Sequence, residues 1–184
     1  MELEKIEKEV YTTPLIINRQ TGECTIRMKV IFGNTYEYNQ PLPTIDWQLE
    51  EEVKKIKGIK CNKATCHFGG RDWIAWYSTE HPVSFGPYLF NGLPGLIIEL
   101  KDSNNHHHFK LNGIENPKNG TPIYLLKRKS LIRTTREKAR QGAENERKDP
   151  VKAMLAKQPD LAKQNGGILL QMKRSEPYNP IELE

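Results

Sequence analysis

The sequence feature that most constrains the fold is a pair of glycines, Gly69-Gly70, set between two segments with strand-like side chains. A two-residue Gly-Gly loop favours the tight turn of a β-hairpin. Because such a turn fixes how the two strands pair, it predicts that Phe68 lies opposite Arg71 and that Cys66 lies opposite Trp73.

This register divides residues 62–77 between two faces of the hairpin. One face carries an apolar set that we expect in the core: Ala64, Cys66, Phe68, Trp73, Ala75 and Tyr77. The other face is polar apart from Ile74 and Trp76, as expected of a groove or a solvent-exposed surface. On that face the spacing sets His67 opposite Asp72, so this imidazole and carboxylate are predicted to touch.

A loop rich in proline and glycine, residues 79–95, separates the hairpin from another predicted strand at 96–101. Residues 86–95 contain three glycines and two prolines, a composition that interrupts regular structure. The loop also carries four large side chains, Phe85, Tyr88, Phe90 and Leu93. Because so many apolar groups are unfavourable in water, we expect the loop to be ordered and to pack over the sheet as a lid.

The N-terminal part of the chain predicts further strands. Alternating apolar and polar residues over 23–32 indicate a half-buried strand, and residues 10–18 should pair with it through a turn at 19–22. A short strand is expected at 36–38. The apolar residues of 48–57 are spaced as on a helix, which predicts a short helical turn there.

After the strand at 96–101, a turn at 102–105 should lead into a strand at 106–112. A last strand is predicted at 123–126. Residues 130–147 then have the pattern of a charged helix, and several prolines and glycines break up the remaining sequence.

Together these patterns predict a mainly β protein built on an antiparallel sheet or half-barrel. We expect residues 1–126 to form the antiparallel β domain and residues 127–184 to form a basic, helical and partly irregular C-terminal appendage of the same domain.

The charge balance, 28 Lys and Arg against 23 Asp and Glu, is only mildly basic, and the excess is local to Lys127–Lys148. That segment lacks interleaved aromatic residues that could stack on bases, so we expect no nucleic-acid partner. No apolar run reaches the roughly 18 to 20 residues of a membrane helix, so no transmembrane segment is expected. The N-terminal residues show no signal peptide.

Metal and disulfide chemistry is weakly indicated. Cys61 and Cys66 lie five apart on one strand and should point to opposite faces, so they are not expected to share a metal or a disulfide. Cys24 could bridge to Cys66 across the core, although we favour a buried free thiol. The run His106-His107-His108 has no carboxylate or cysteine spaced to complete a site, so we expect no metal and no other cofactor.

Catalytic chemistry is also weakly indicated. The pair of His67 and Asp72 could orient a general base, but no nucleophile elbow, zincin helix or phosphate loop accompanies it. We therefore assign no catalytic residue and consider an enzyme less well supported than a non-enzyme. Arg71 could clamp a carboxylate or phosphate, or it could cover Trp73 or Trp76.

The motif Gly92-Leu93-Pro94-Gly95-Leu96-Ile97 is similar to the namesake motif of the GLPGLI family of Gram-negative envelope proteins. Neighbouring matches occur at Asp46-Trp47, Ile56-Lys57-Gly58-Ile59-Lys60-Cys61, Lys63-Ala64-Thr65-Cys66, Gly70-Arg71-Asp72-Trp73, Ala75-Trp76-Tyr77 and Asn179-Pro180-Ile181-Glu182-Leu183. The resemblance implies a periplasmic or outer-envelope location and no assigned activity. That family usually has a signal peptide and a further N-terminal β region, so we expect this sequence to be truncated or mis-started. The strand order is also similar to the half-barrels of periplasmic lipoprotein carriers, an analogy of fold alone.

These observations favour a non-catalytic binding or carrier-type module of the cell envelope whose ligand is apolar or amphipathic, or is an acidic partner. The candidate ligand-binding residues are Arg71, Trp76, Phe85, Tyr88, Phe90 and Leu93. Expected partners are a lipid, a peptide or an envelope protein, or a second copy that pairs through an exposed sheet edge. The alternatives are a hydrolase-type enzyme that uses the face of His67 and Asp72, and a structural protein that pairs by a sheet edge.

Overall fold

Strands make up most of the regular structure. The structure, a computed structural model, describes residues 14–30, 34–115, 125, 131–158, 160, 163 and 181–183. In chain order the elements are β1 (Leu15–Asn18), β2 (Glu23–Lys29), β3 (Thr35–Pro41), β4 (Gln48–Ile56), β5 (Ile59–Phe68), β6 (Arg71–Ser78), β7 (Leu96–Asp102), β8 (His108–Lys110), β9 (Leu131–Arg133), α1 (Arg136–Lys148) and α2 (Pro150–Lys157). None of the helices in the described part of the chain is long and apolar enough to cross a membrane.

The chain divides into two compact units. The first comprises Met1–Pro41 and Ile123–Pro177, and the second comprises Leu42–Pro122 and Tyr178–Glu184. Each unit contains one open sheet, so the predicted mainly β class is confirmed, and the described strands do not form a closed barrel. The domain boundary expected after residue 126 falls among residues that are not described and stays a prediction. The strand expected at 123–126 also lies outside the described residues, apart from Leu125.

The sheet of the first unit has the order β1-β2-β3-β9. The predicted hairpin is confirmed, because β1 pairs antiparallel with β2 around a turn in which Gly22 has a φ of +68°. Arg27 is one of the polar residues in the alternating pattern over 23–32, yet it is buried, since it forms a 2.7 Å ion pair with Glu37 on β3. Burial alone would raise the pKa of Glu37, but hydrogen bonds from Arg27 and Arg133 lower it overall.

The charged helix expected over 130–147 begins later than predicted. Thr135 caps α1, its side chain accepting a hydrogen bond from the Lys138 amide. The residues just before it form β9, which pairs parallel with β3. A three-residue strand leaves too short a pattern to be recognised in a sequence, because its existence depends on the β3 edge that it joins.

The sheet of the second unit has the order β4-β5-β6-β7-β8 and is antiparallel throughout. The predicted hairpin register is confirmed residue for residue, from Phe68 opposite Arg71 to Asn62 opposite Tyr77. Both turn glycines have positive φ, +60° for Gly69 and +71° for Gly70, as the tight turn requires.

The helical turn predicted over 48–57 is wrong, because these residues form the edge strand β4. Leu49, Val53 and Ile56 follow helical spacing only because a bulge between Leu49 and Val53 shifts the register against β5. Hydrogen bonding to β5 therefore overrides the local pattern. Leu49 and Val53 are exposed on this edge, at 61% and 49%.

The later strands follow the prediction with small differences. The strand expected at 96–101 is β7, and the turn at 102–105 is confirmed, with Asn105 at a φ of +57°. The strand expected at 106–112 is reduced to the three residues of β8. Because β8 is short, it pairs with β7 only at Glu99–Lys101.

The packed core of the second unit contains the apolar face of the hairpin, as predicted. Its buried members are Ile45, Ala64, Cys66, Trp73, Ala75, Tyr77, Phe90, Leu93, Ile97, Leu100 and Ile181, with Phe68 packed against them. The opposite face of the sheet is less polar than expected, because it carries a smaller buried cluster of Cys61, Trp76 and Ile98.

Candidate functional site

The part of the loop at residues 79–95 that carries Tyr88, Phe90 and Leu93 packs over the sheet, as predicted, and the order of the whole loop stays a prediction. Leu89, Phe90 and Leu93 are at most 1% exposed. The Phe90 ring centroid lies 4.7 Å from that of Trp73 and 5.2 Å from that of Phe68, in edge-on arrangements that suit aromatic pairs. The second half of the loop, residues 88–95, is therefore packed against the core, and residues 79–87 form the first half.

The first half of the loop lies beside strand β7. The Ile97 amide donates to the Phe85 carbonyl at 3.0 Å, and the Leu96 amide donates to the His81 carbonyl at 2.9 Å. A side chain at Gly86 would meet Ile97, its Cβ lying 2.6 Å from Ile97 Cδ1. Glycine at this position thus allows the loop to approach the strand closely.

An apolar groove lies where this half of the loop and β8 meet along β7. It encloses about 330 Å³ and is lined by Phe85, Gly86, Pro87, Leu96, Ile97, Ile98, Glu99, Leu100, Phe109, Lys110 and Leu111. All but two of these residues are apolar or glycine. A site of this size and character suits a small ligand with a hydrocarbon part.

Basic side chains contact Glu99 on the lining of the groove. Lys54 Nζ lies 2.8 Å from the Glu99 carboxylate, and His108 Nε2 lies 2.7 Å from it. Burial would raise the pKa of Glu99, but the hydrogen bonds from Lys54 and His108 lower it overall. Lys110, whose side chain is 62% exposed, is 4.0 Å from the same carboxylate and extends a positive charge towards solvent.

The six candidate ligand-binding residues do not converge on one place. Phe85 lines the groove, whereas Phe90 and Leu93 are enclosed in the core. Trp76 is buried at 5%, on the opposite face of the sheet from that core, with Lys54 Nζ 4.0 Å from its ring centroid. The set as a whole stays a prediction.

The other two candidates, Arg71 and Tyr88, both contact the C-terminal segment. Arg71 Nε donates to the Ile181 carbonyl at 3.1 Å, and Tyr88 Oη donates to the Glu182 carboxylate. Arg71 is 6% exposed, so it is an internal contact of the fold at this position.

Sequence reasoning missed the groove residues of β7 and the segment that follows β8. Phe109 and Leu111 lie in the strand predicted at 106–112, and Ile97 and Ile98 lie in the strand predicted at 96–101. Nothing in their spacing shows that β8 ends after three residues and leaves the outer edge of β7 to the loop. One sequence signal could have indicated these residues. Apolar side chains occur in the loop at 85–87 and in both strands that follow it, so the three segments could be expected to pack together.

The predicted contact of His67 with Asp72 is confirmed, with Nδ1 2.7 Å from Oδ1. Their side chains are 62% and 75% exposed, and neither lines the groove. A general base needs a bound substrate within hydrogen-bond reach. The pair therefore lies outside the groove, and the enzyme alternative stays a prediction.

The cysteines are poorly suited to nucleophilic chemistry. Cys61 and Cys66 are buried on opposite faces of the sheet, as predicted. Cys24, Cys61 and Cys66 are all free thiols in this structure. Burial raises the pKa of Cys66 to about 12 and also raises that of Cys61. Cys24 is buried too, its Sγ 3.3 Å from the Gln40 carbonyl.

The three consecutive histidines have different surroundings. His106 Nδ1 lies 3.2 Å from Arg71, His107 lies beside the Trp73 ring, and His108 contacts Glu99. Within the part of the chain that the structure describes, no group of three or more His, Cys, Asp or Glu side chains is placed to hold a metal ion.

Comparison with known proteins finds that part of the chain is similar to a family of unknown function. A model of the family described as "Protein of unknown function (Porph_ging)" matches residues 70–99, which include β6, the loop and the first residues of β7. A comparison with curated proteins gives no match. Because the matched family has no known function, the match transfers no activity to this chain.

Among solved structures, PNGF-II matches in two crystal forms, in space groups C2 and P21, with a TM-score of 0.48 in both. The sequence identities are 16% and 15%, and each alignment covers 76% of this chain and 26% of PNGF-II. The chain therefore spans a minor part of the length of PNGF-II.

Proposed function

We propose that the second unit is a non-catalytic binding module that holds an apolar or amphipathic ligand in the groove along β7. The observation that carries this proposal is the lining of the groove, which is apolar except for Glu99 and Lys110. Its volume of about 330 Å³ lies within the usual range of small-molecule sites, roughly 300 to 1,000 Å³.

The charges at the groove favour an amphipathic ligand with an anionic head group. The Glu99 carboxylate already contacts Lys54 and His108, at 2.8 and 2.7 Å. Lys110 is the cation of the lining that reaches solvent, so an anionic head could contact it while a hydrocarbon chain lies against Phe85, Ile97 and Leu111. Such a contact would weaken with salt, because dissolved ions screen exposed charges, with a Debye length of about 8 Å at 0.15 M ionic strength.

The GLPGLI-like motif at 92–97 contributes directly to this groove. Leu93 is buried in the core, and a side chain at Gly95 would overlap the Ser78 carbonyl. Leu96 and Ile97 follow at once as part of the groove lining. The motif thus holds the loop against the sheet and begins the groove wall, which supports a shared structural role in proteins that carry it.

We further propose that the module acts in the cell envelope, in the periplasm or at the outer envelope. The support is the resemblance of this motif and its neighbouring segments to the GLPGLI family. A carrier-type role agrees with an apolar groove that is not fully enclosed, since a carrier must both take up and release its ligand.

Fluorescence titration with a long-chain fatty acid tests the groove directly. Phe85→Ala should weaken binding roughly tenfold, because one aromatic contact of the hydrocarbon chain is lost. Val83→Ala is the matched control, since Val83 lies in the same loop, is 41% exposed and does not line the groove. No binding by the wild-type chain, or equal losses in both variants, would contradict the proposal.

The head group is tested by comparing the fatty acid with the matching fatty alcohol. Lys110→Glu should weaken binding of the acid several-fold and leave the alcohol almost unchanged, since an exposed charge pair contributes up to about 1 kcal/mol. Lys60→Glu is the control, because Lys60 is an exposed lysine of the same sheet outside the groove. Equal losses for the acid and the alcohol would show that Lys110 does not contact a charged head.

A further inference from the structure

The segment Ile181–Leu183 lies along the Gly69-Gly70 turn like a short extra strand. The Leu183 amide donates to the Gly69 carbonyl at 2.7 Å, and Arg71 Nε donates to the Ile181 carbonyl at 3.1 Å. Three consecutive residues are therefore held by main-chain contacts at two positions and by a side-chain contact at the third, where Glu182 meets Tyr88.

Side-chain chemistry at these three positions alternates. The side chain of Ile181 is buried in the packed core, at 6% exposure. Glu182 accepts a hydrogen bond from Tyr88, and Leu183 is 55% exposed. Recognition of an extended segment by main-chain bonds, with a pocket for an alternate side chain, is a recurring way in which proteins bind peptides.

The surface that receives this segment is built for a close approach of backbone. A Cβ at Gly69 would lie 3.0 Å from the Cα of Glu182, so a larger residue there would push the segment away. Gly69 also has a φ of +60°, which disfavours other residues.

Arg71 is held by contacts that do not involve this segment. Its Nη1 lies 3.4 Å from the carboxylate of Asp102 and 3.2 Å from His106 Nδ1, and Asp102 is 1% exposed. A guanidinium held in this way loses little conformational freedom when it donates to a peptide carbonyl.

We propose that Gly69, Arg71 and Tyr88, with the core pocket around Ile181, form a C-terminal socket. The socket recognises an extended aliphatic–acidic–aliphatic segment. Its occupant in this structure is the segment Ile181–Leu183 of the chain itself, and a separate peptide of the same sequence takes its place when the attached segment is displaced, because the same contacts are then available to the peptide. This inference is independent of the groove along β7, since none of the three residues lines it.

The test uses the full-length Ile181→Asp chain and a labelled peptide with the sequence of residues 175–184. The substitution should displace the chain's own segment, since an aspartate is unfavourable in an apolar pocket. Fluorescence anisotropy should then show the peptide binding at least tenfold more tightly to this chain than to the wild-type chain. In the wild type, the attached segment competes at an effective concentration on the order of millimolar.

A double-mutant cycle tests the contact between Tyr88 and Glu182. In the Ile181→Asp chain, Tyr88→Phe should weaken binding of the wild-type peptide roughly tenfold, because a hydrogen bond to a carboxylate is lost. The same change should have almost no effect on a peptide that carries Glu182→Ala. A peptide that carries Ile181→Asp is the negative control.

Two results would overturn the proposal. One is equal binding of the wild-type peptide and the Ile181→Asp peptide. The other is an equal effect of Tyr88→Phe on the wild-type and Glu182→Ala peptides. If the Ile181→Asp chain does not fold, hydrogen exchange of the wild-type chain decides instead. The Leu183 amide should then be protected, and Tyr88→Phe should speed its exchange; an unprotected Leu183 amide would contradict the socket.

Discussion

The two halves of the loop at 79–95 have similar compositions and different environments. Both contain glycine, proline and an aromatic residue, yet Phe90 is fully buried against Trp73 while Phe85 lines an open groove. The difference arises from what each half packs against. The second half meets the apolar face of the hairpin, whereas the first half runs beside β7 where β8 has ended.

This contrast separates residues that hold the fold together from residues that are available to a ligand. A buried aromatic side chain contributes to stability and cannot contact a ligand without leaving the core. A half-buried aromatic side chain at a groove can do so at small cost. The same sequence signal, an aromatic residue in a Pro/Gly loop, therefore has two different meanings.

The largest expected effect comes from Phe90→Ala. Removal of this buried ring should lower the free energy of unfolding by about 3 to 5 kcal/mol, because it leaves a cavity beside Trp73 and Phe68. Chemical denaturation measures the change. The matched substitution Phe85→Ala should cost less than about 1 kcal/mol, since that side chain is partly exposed. Similar losses in the two variants would remove the distinction between the halves.

A smaller effect is expected from Gly86→Ala. The new methyl group would crowd Ile97, with a 2.6 Å approach to Cδ1 and 2.9 Å to Cβ, so the loop must shift away from β7. We expect a loss of about 1 to 3 kcal/mol, typical of overpacking. Gly113→Ala is the control, because a Cβ at Gly113 meets nothing within 4 Å. If the two variants are equally stable in thermal unfolding, the first half of the loop is not held against the strand as described.

The pH dependence of stability should report the charges at the groove. The pKa of Glu99 is lowered in the folded chain, so its contribution to stability is present above the unfolded value, near 4.5, and is lost as pH falls through the folded value. Glu99→Gln should therefore flatten the loss of stability below pH 4.5. Glu51→Gln, at an exposed position on β4, is the control. An unchanged acid profile in the Glu99→Gln chain would show that this carboxylate is not held as described.

The hairpin could be predicted from the sequence because its information is local. Two glycines fix the turn, and the turn fixes every pair from Phe68–Arg71 to Asn62–Tyr77. Edge strand β4 could not be predicted in this way. Its bulge shifts the apolar residues to a helical spacing, and only the hydrogen bonds to β5 show that it is a strand.

The groove could be predicted only in part. The apolar character of the loop and of the flanking strands is visible in the sequence, and Phe85 was identified from it. The groove between the loop and these strands depends on where β8 ends. That end is determined by pairing with β7, which local sequence does not show. For the same reason Phe90 and Leu93 could not be told apart from Phe85, because burial of each half is decided by the surface it packs on.

Photo-crosslinking with a fatty acid that carries a diazirine on its hydrocarbon chain tests whether the ligand binds in the groove along β7. Mass spectrometry of the labelled full-length chain identifies the residues that the ligand contacts. A fatty acid bound in the groove should label the segments 85–87, 96–100 and 109–111, and the labels should be reduced by excess unlabelled fatty acid and by Phe85→Ala. Labels confined to the exposed Leu49 and Val53 of β4, or labels that excess fatty acid does not reduce, would contradict it.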